Sequence, residues 1–140
     1  MKHTFLPFQI GEEYENWEFD LDVLETERVP GCDSYTFAKI VHFISLASTR
    51  TELLFCLDIL EIVILYFETD EPKHFLFVKN FLSNTMLENT TDYIDCESYT
   101  YYLNNEEILK IINVTGDPKF KVVYGNKKFV NLINEKGSSF

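Results

Sequence analysis

The stretch Thr51–Glu68, TELLFCLDILEIVILYFE, decides how the rest of the chain is interpreted. It is densely apolar and rich in β-branched and aromatic residues, which suit a pleated sheet. Because it is too long for one ordinary strand, we divide it near Asp58 into two strands, Glu52–Leu57 and Leu60–Glu68. A continuous amphipathic helix is the competing interpretation. The second strand is apolar on both parities, which predicts a central strand covered on both faces.

The residues that follow these strands carry the signals of a helix start. Thr69 or Asp70 can cap the first turn, and Pro72 fits the first helical position. Apolar residues then recur at helical spacing, namely Phe75, Val78, Phe81 and Leu82. We therefore predict one principal helix over about residues 72–85, with a single buried stripe.

The segment before Thr51 predicts an antiparallel hairpin. Residues Asn16–Arg28 alternate between apolar and acidic side chains. This alternation indicates a strand with Trp17 and Phe19 on an inner face and a row of carboxylates on the outer face. Pro30-Gly31 marks a turn, and the alternation resumes over Ser34–Phe43.

The remaining segments predict further strands and a second helix. They are a short strand at 6–10, a polar loop at 88–95, a strand at 96–103, a short helix at about 106–113, and a hairpin formed by 120–124 and 128–133. The hairpin is predicted from Gly125-Asn126, a typical two-residue turn. Together these elements predict an α+β fold with a mainly antiparallel β-sheet.

Length and composition predict one domain. With 140 residues and an apolar fraction of 46%, residues 1–140 suffice for a single hydrophobic core, with a tail that frays from about residue 135. The N-terminus lacks the apolar segment and cleavage site of a signal peptide, so we predict a cytoplasmic location. Cys32, Cys56 and Cys96 form no CxxC pair. Reduced thiols are the simplest interpretation, and any redox role stays open.

The chain is strongly acidic, with a net charge of −11 and a pI near 4.6. This charge argues against nucleic acid and against an anionic membrane as partners, because both bind basic surfaces. It favours a basic protein, a metal ion or simple solubility. Eight acids lie between Glu12 and Glu27, and residues 81–109 contain six acids but no Lys or Arg. If these two segments meet in space, they form one strongly negative surface.

No motif for covalent, acid–base or phosphate chemistry stands out. We interpret His42 as a structural strand residue and His74 as a solvated residue, although the fold can still form a Cys–His pair. Glu18 and Asp20 have a spacing conceivable for a glycosidase pair, but we expect both to be exposed. The acidic loop at 88–95 offers oxygen ligands for calcium without the glycine and terminal Glu of an EF-hand. We therefore predict no enzyme activity, no cofactor and no metal site.

A surface that binds a protein partner fits the sequence best. Carboxylates lie beside aromatic residues in both acidic segments, and interface cores are enriched in Tyr and Trp. The candidate partner-binding residues are Glu13, Glu15, Glu18, Asp20, Asp22, Asp92, Asp95, Glu97, Tyr93, Tyr99 and Tyr102. The sequence thus predicts a small acidic binding module. Its most concrete form is an immunity-type inhibitor that occludes the active surface of a basic bacterial toxin, such as a nuclease.

Two other interpretations stay open. The first is a structural or regulatory module that self-associates through an uncovered sheet edge such as the C-terminal hairpin, so monomer and homodimer are both allowed. The second is a carboxylate- or metal-dependent hydrolase.

Overall fold

The computed structural model describes residues 4–86, 88–92, 96–114 and 117–133. Its strands are β1 Leu21–Leu24, β2 Asp33–Phe37, β3 His42–Phe43, β4 Leu46–Ala47, β5 Arg50–Cys56, β6 Ile59–Phe67, β7 Glu88–Asp92, β8 Cys96–Tyr102, β9 Glu107–Val114 and β10 Phe120–Asn126. Its α-helices are α1 Pro72–Thr85 and α2 Lys127–Val130, and short 3-10 helices span Tyr14–Asn16 and Glu18–Asp20.

Eight of the strands form one sheet in the order β1-β2-β5-β6-β10-β9-β8-β7. All neighbouring strands in this sheet are antiparallel, and β3 pairs with β4 in a separate two-stranded sheet. The predicted α+β class with a mainly antiparallel sheet is therefore confirmed. β10 lies between β6 and β9, so it joins the strands that precede α1 to the strands that follow it.

The large sheet is packed on both faces. One face carries Leu53, Val63, Leu65 and Val122 and packs against α1, the N-terminal segment and the β3–β4 pair. The other face carries the alternate residues, among them Leu54, Ile62, Ile64 and Val123, and packs against the β1–β2 loop and α2. Because β6 is buried from Ile62 to Phe67, the prediction of a central strand covered on both faces is confirmed. The division of the apolar stretch near Asp58 is confirmed as well.

Helix α1 spans the predicted residues 72–85, with Pro72 in its first turn. Phe75, Val78 and Leu82 are buried, and Phe81 is partly buried against the same core. The predicted cap was wrong, because Glu71 is the N-cap residue and makes no side-chain capping bond. The Thr69 hydroxyl instead accepts a hydrogen bond from the Glu71 N–H at 3.1 Å, just before the helix begins.

The second helix exists but lies elsewhere along the chain. Residues 107–114 form strand β9 rather than the predicted helix over 106–113, and the short helix is α2. Asn104 was considered a helix cap, but its side-chain oxygen accepts hydrogen bonds from the N–H groups of Glu106 (2.8 Å) and Glu107 (2.9 Å) within the β8–β9 turn. An Asx turn of this kind fits a hairpin as well as a helix start.

The predicted C-terminal hairpin was also wrong. β10 continues through Gly125 and Asn126, and the Asn126 side chain caps α2 by accepting from the Lys128 N–H at 3.1 Å. Gly125 has a φ of +147°, and a Cβ there would collide with the backbone carbonyl of Glu61 on β6. The glycine therefore serves a close approach of two strands and not a turn.

The N-terminal half departs from the prediction in its local structure. Residues 6–10 form no strand, yet Leu6 and Phe8 are buried. The predicted strand over 16–28 is confined to β1, which pairs with β2 as an antiparallel hairpin. The predicted loop at 88–95 includes strand β7, whereas residues 93–95 and the tail predicted to fray from 135 lie outside the described residues.

Cys32 and Cys56 form a disulfide, which corrects the expectation of reduced thiols. Their Cα atoms are 4.4 Å apart although 24 positions separate them in the chain. The cause is strand register, because Asp33 opposite Phe55 brings the start of β2 to the end of β5. The bond attaches the β1–β2 loop to the turn that joins β5 and β6.

Candidate functional site

A depression of about 470 Å³ lies where the N-terminal segment crosses the turn between β5 and β6. We call it the acidic pocket; it is lined by Glu13, Tyr14, Glu15, Glu18, Leu57, Asp58 and Ile59. Four of these side chains are carboxylates, and the lining includes no Lys or Arg among the described residues. Three of the predicted partner-binding acids are thus brought together by the fold.

Backbone hydrogen bonds attach the N-terminal segment to the turn. The Tyr14 N–H donates to the Asp58 carbonyl and the Leu60 N–H donates to the Glu12 carbonyl, both at 2.8 Å. The Tyr14 ring packs 5.3 Å from the Tyr35 ring and 5.5 Å from the Phe55 ring, measured between centroids. These contacts hold the backbone of the segment against the turn, while Glu13, Glu15 and Glu18 are exposed.

The short 3-10 helices of the N-terminal segment determine which of its side chains are packed against the core and which are exposed. Trp17 packs 5.1 Å from the Phe8 ring, as expected for an inner residue. Phe19 was predicted on the same inner face but is 95% exposed. Residues 18–20 wind as a 3-10 helix with about three residues per turn, so the period of two that applies to strands fails there.

Nearby acids also affect Tyr35, whose ring packs against the Tyr14 ring of the pocket. Burial raises the pKa of the Tyr35 hydroxyl, and nearby Tyr14, Asp33 and Asp58 raise it further. Negative charge beside a phenol disfavours its ionised form. Asp33 and Asp58 therefore place negative charge near Tyr35, at the same end of the sheet as the acidic pocket.

The turn at the lip of the pocket has an unusual conformation. Leu57 and Asp58 have φ values of 52° and 64°, in the left-handed region. Two-residue hairpin turns of this type favour Asn-Gly, because a branched apolar residue is strained at positive φ. Leu57 is nevertheless 95% exposed, so packing within the chain does not offset that strain.

The other predicted acids of the first segment lie outside the pocket. Asp20 pairs with Lys39 at 3.4 Å between Oδ1 and Nζ, and Asp22 is exposed on β1 opposite Thr36. The notional carboxylate pair Glu18 and Asp20 therefore lies on a 3-10 helix and not on one strand face.

The second acidic segment lies at the opposite edge of the sheet. Six strands separate β1 from β7, so the sheet does not bring the two segments together. Asp92 belongs to β7, while Tyr93 and Asp95 lie outside the described residues. Glu97 accepts a hydrogen bond from the Tyr99 hydroxyl at 2.8 Å, and Tyr102 is 45% exposed.

Glu97 and Tyr99 line a second cavity of about 380 Å³ between α1 and the strands β8 and β9. Its walls are mostly apolar, and Lys79 lies 4.6 Å above the Tyr99 ring. Side chains of both signs line this cavity, with Lys79 opposite in charge to Glu97 and Asp117. The cavity therefore lacks the one-sided charge of the acidic pocket.

The histidines also differ from expectation. His42, interpreted as a structural strand residue, is exposed on β3. His74, interpreted as solvated, is partly buried, and its Nδ1 lies 2.6 Å from the Thr69 hydroxyl.

No protein-family model matches the chain, and neither a curated protein nor a solved structure matches it. In the part of the chain that the structure describes, no three His, Cys, Asp or Glu side chains are grouped to hold a metal ion. None of the described helices has the length and apolar character needed to cross a membrane. The geometry and charge of the acidic pocket are thus the basis for inferring function.

Proposed function

We propose that this protein is a binding module that captures a basic protein through the acidic pocket. The observation that carries the proposal is Leu57, which is 95% exposed and held at positive φ on the lip of a pocket lined by carboxylates. Strained and exposed apolar residues reduce the stability of the free protein, and such features are concentrated at functional sites. A partner that buries Leu57 would offset this cost.

The charge of the pocket defines the chemistry of the partner. Asp20 has its own cation in Lys39, whereas Glu13, Glu15 and Glu18 make no salt bridge among the described residues. Lysine or arginine side chains of a partner can pair with these carboxylates, which also increase the rate of association at low salt. Leu57 and Phe19 supply apolar contacts beside the charges.

The concrete form that we favour is an immunity-type inhibitor of a basic toxin. Enzymes that cleave nucleic acid hold phosphates with cationic surfaces, and a row of carboxylates can occupy such a surface. The net charge of −11 supports this form, because it attracts a cationic protein over a long range. Inhibition would then occur by occlusion, with no chemistry performed by this chain.

An affinity experiment tests the proposal directly. The tagged protein is incubated with an extract of its own host, then washed at low and high salt. We expect one basic protein at near-stoichiometric yield that is lost at high salt, because surface charge pairs are screened. Recovery of the bait alone, with light scattering that shows a dimer, would contradict the proposal and support self-association.

Matched variants locate the interface. The pocket variant replaces Glu13, Glu15 and Glu18 by Gln, and the control variant makes the same charge change at the exposed residues Glu25, Glu68 and Glu106. We expect the pocket variant to lose the partner and the control variant to retain it. Equal loss in both would mean that overall charge, and not the pocket, holds the partner.

The cytoplasmic location stays a prediction, and the disulfide provides a test of it. Disulfides persist mainly in oxidising compartments. Protein isolated from its host under thiol-trapping conditions should show three free thiols in a reducing cytoplasm and one in an oxidising compartment.

A further inference from the structure

Strand β1 lies at one end of the eight-stranded sheet, and among the described strands it pairs with β2 alone. The Ala38 N–H donates to the Asp20 carbonyl at 2.8 Å, directly before the paired residues. Opposite residues of antiparallel strands alternate between hydrogen-bonded and non-bonded pairs. The register therefore places Asp22 in a bonded pair with Thr36 and Val23 in the non-bonded pair that follows. The N–H and C=O groups of Val23 thus point away from β2.

The outer side of β1, which we call the β1 edge, is open to solvent. Val23 is 76% exposed, and the Asp22 side chain is exposed as well. In the described part of the chain, no backbone group of Leu21–Leu24 bonds to an element other than β2. Such an edge can accept an extended peptide as a further strand through main-chain hydrogen bonds.

Acidic side chains surround the β1 edge. The exposed acids on β1 and beside it are Glu18, Asp22, Glu25 and Glu27. The neighbouring cations already have partners in the chain. Lys39 pairs with Asp20 at 3.4 Å, and Arg28 pairs with the buried Glu52 at 3.0 Å. The exposed acids therefore give the edge a negative charge that these two cations do not compensate.

This charge determines which kind of strand the edge can accept. A second copy of β1 would bring its own Asp22 and flanking glutamates against the same acids, and like charges across paired strands are destabilising. β1 also has only four residues, and short, charged edge strands prevent sheets from pairing with their own copies. A strand with cationic side chains meets opposite charge instead.

We propose that the β1 edge accepts an extended segment of the basic partner as an additional strand, with cationic and apolar side chains alternating along that segment. The proposal rests on the function proposed above, because Glu18 lines the acidic pocket and the 3-10 helix that it begins leads directly into β1. Successive side chains of a strand point to opposite faces. A lysine or arginine of the segment therefore lies beside Asp22, and an apolar residue lies beside Val23.

Amide hydrogen exchange of the full chain tests the edge. The probe is a blocked peptide of alternating lysine and valine, added at low ionic strength. We expect the Val23 amide to exchange faster than the Asp22 amide in the free protein, because only Asp22 is bonded to β2. Saturating peptide should slow the Val23 amide by at least about fivefold, the effect of one hydrogen bond. Absence of binding, or binding without this protection, would overturn the proposal.

Two control peptides separate main-chain pairing from charge. In antiparallel pairing, the peptide valine opposite Val23 exchanges both main-chain hydrogen bonds with it. N-methylation of the valines removes these donors and keeps every side chain, so we expect affinity to fall by at least about fivefold. A peptide of alternating glutamate and valine reverses the charge and should not bind. Equal affinity of the N-methylated peptide would overturn the proposal.

A matched pair of variants locates the binding on β1. Val23→Pro removes the outward N–H, while the bonded residues Asp22 and Leu24 still pair with β2, so proline is tolerated at this edge. We expect it to weaken peptide binding by at least about fivefold. The control Val23→Ile keeps the N–H and the apolar side chain and should bind as the parent does. Should Val23→Pro fail to fold, the N-methylated peptide still decides the question.

The partner itself distinguishes this proposal from the proposed function. If Val23→Pro captures the basic protein as well as the parent does, while the pocket variant loses it, the edge proposal is overturned and the proposed function stands. If the parent recovers no basic protein but binds the lysine–valine peptide with protection of Val23, the proposed function fails and the edge is supported as an acceptor of cationic strands.

Discussion

Replacing Leu57 by Asn should stabilise the free protein. Leu57 has a φ of 52°, and a left-handed conformation costs an ordinary residue about 1–2 kcal/mol. Asn tolerates this region far better because its short polar side chain bonds locally. The side chain is 95% exposed, so about a tenth of a kcal/mol of burial is lost at most. The free energy of unfolding should therefore rise by about 1 kcal/mol, equivalent to about 3 °C in the unfolding midpoint.

Urea unfolding followed by the fluorescence of Trp17, the single tryptophan, measures this change. The matched control is Leu132→Asn, a leucine that is 58% exposed and whose φ is not positive. We expect that control to lie within about 0.5 kcal/mol of the parent. An unchanged or lower stability in Leu57→Asn would refute the view that the turn is strained. If the proposed function also holds, the more stable variant should bind its partner less well.

Three further changes test the fold. Gly125→Ala should lower the free energy of unfolding by about 3 kcal/mol in a urea titration, because the added Cβ meets the Glu61 carbonyl. An unchanged free energy of unfolding would mean that β6 and β10 can move apart at this position. Reducing the Cys32–Cys56 bond should cost about 3.5 kcal/mol at neutral pH, the value for a closed loop of this length, measured by urea unfolding with and without reductant. The free energy of unfolding should also fall as pH rises above about 10, because burial raises the pKa of the Tyr124 hydroxyl in the folded protein. The unfolded chain then loses the hydroxyl proton at a lower pH than the folded protein does. A free energy of unfolding that stays constant from about pH 10 to 11 would contradict this.

Each of these tests has a matched control in the chain. Gly11→Ala also places alanine at positive φ but meets no neighbouring atom, so the difference between the two alanine variants isolates the collision. A Cys32→Ser and Cys56→Ser double variant should match the reduced protein and be insensitive to reductant. Tyr102→Phe removes an exposed phenol and should leave the alkaline loss of stability unchanged.

Elements with a strong local signal were predictable from the sequence. Helix α1 and strands β5 and β6 follow from apolar periodicity, Pro72 and β-branched content, all of which act over a few residues. Strand β9 was mistaken for a helix because Ile108, Ile111 and Ile112 recur at helical spacing, whereas the strand buries Ile111 on one face of the sheet and Ile108 and Ile112 on the other. The position of β10 and the disulfide depend on which distant strands pair, and no local pattern contains that information.

The candidate site was only partly predictable for the same reason. Glu13, Glu15 and Glu18 were singled out by their local density, and the fold groups them in one pocket. Leu57 and Asp58 were missed, because they reach the pocket through the β5–β6 turn. The two strands predicted on either side of Asp58 left room only for a tight turn. The presence there of Leu-Asp, where such turns usually have Asn-Gly, was the sequence signal that this turn is unusual.

The central position of β10 has a consequence for how the chain acquires its structure. Until residues 120–126 are in place, β6 and β9 each present an unpaired edge of apolar residues. Such edges readily pair with other chains, so an incompletely synthesised or partly folded molecule is prone to aggregate. Insertion of β10 closes both edges in one step and joins distant parts of the chain, which requires slow, long-range contacts. We therefore expect the insertion of β10 to be a late and highly cooperative step of folding. This single strand joins the strands on the β6 side and the strands on the β9 side into one sheet.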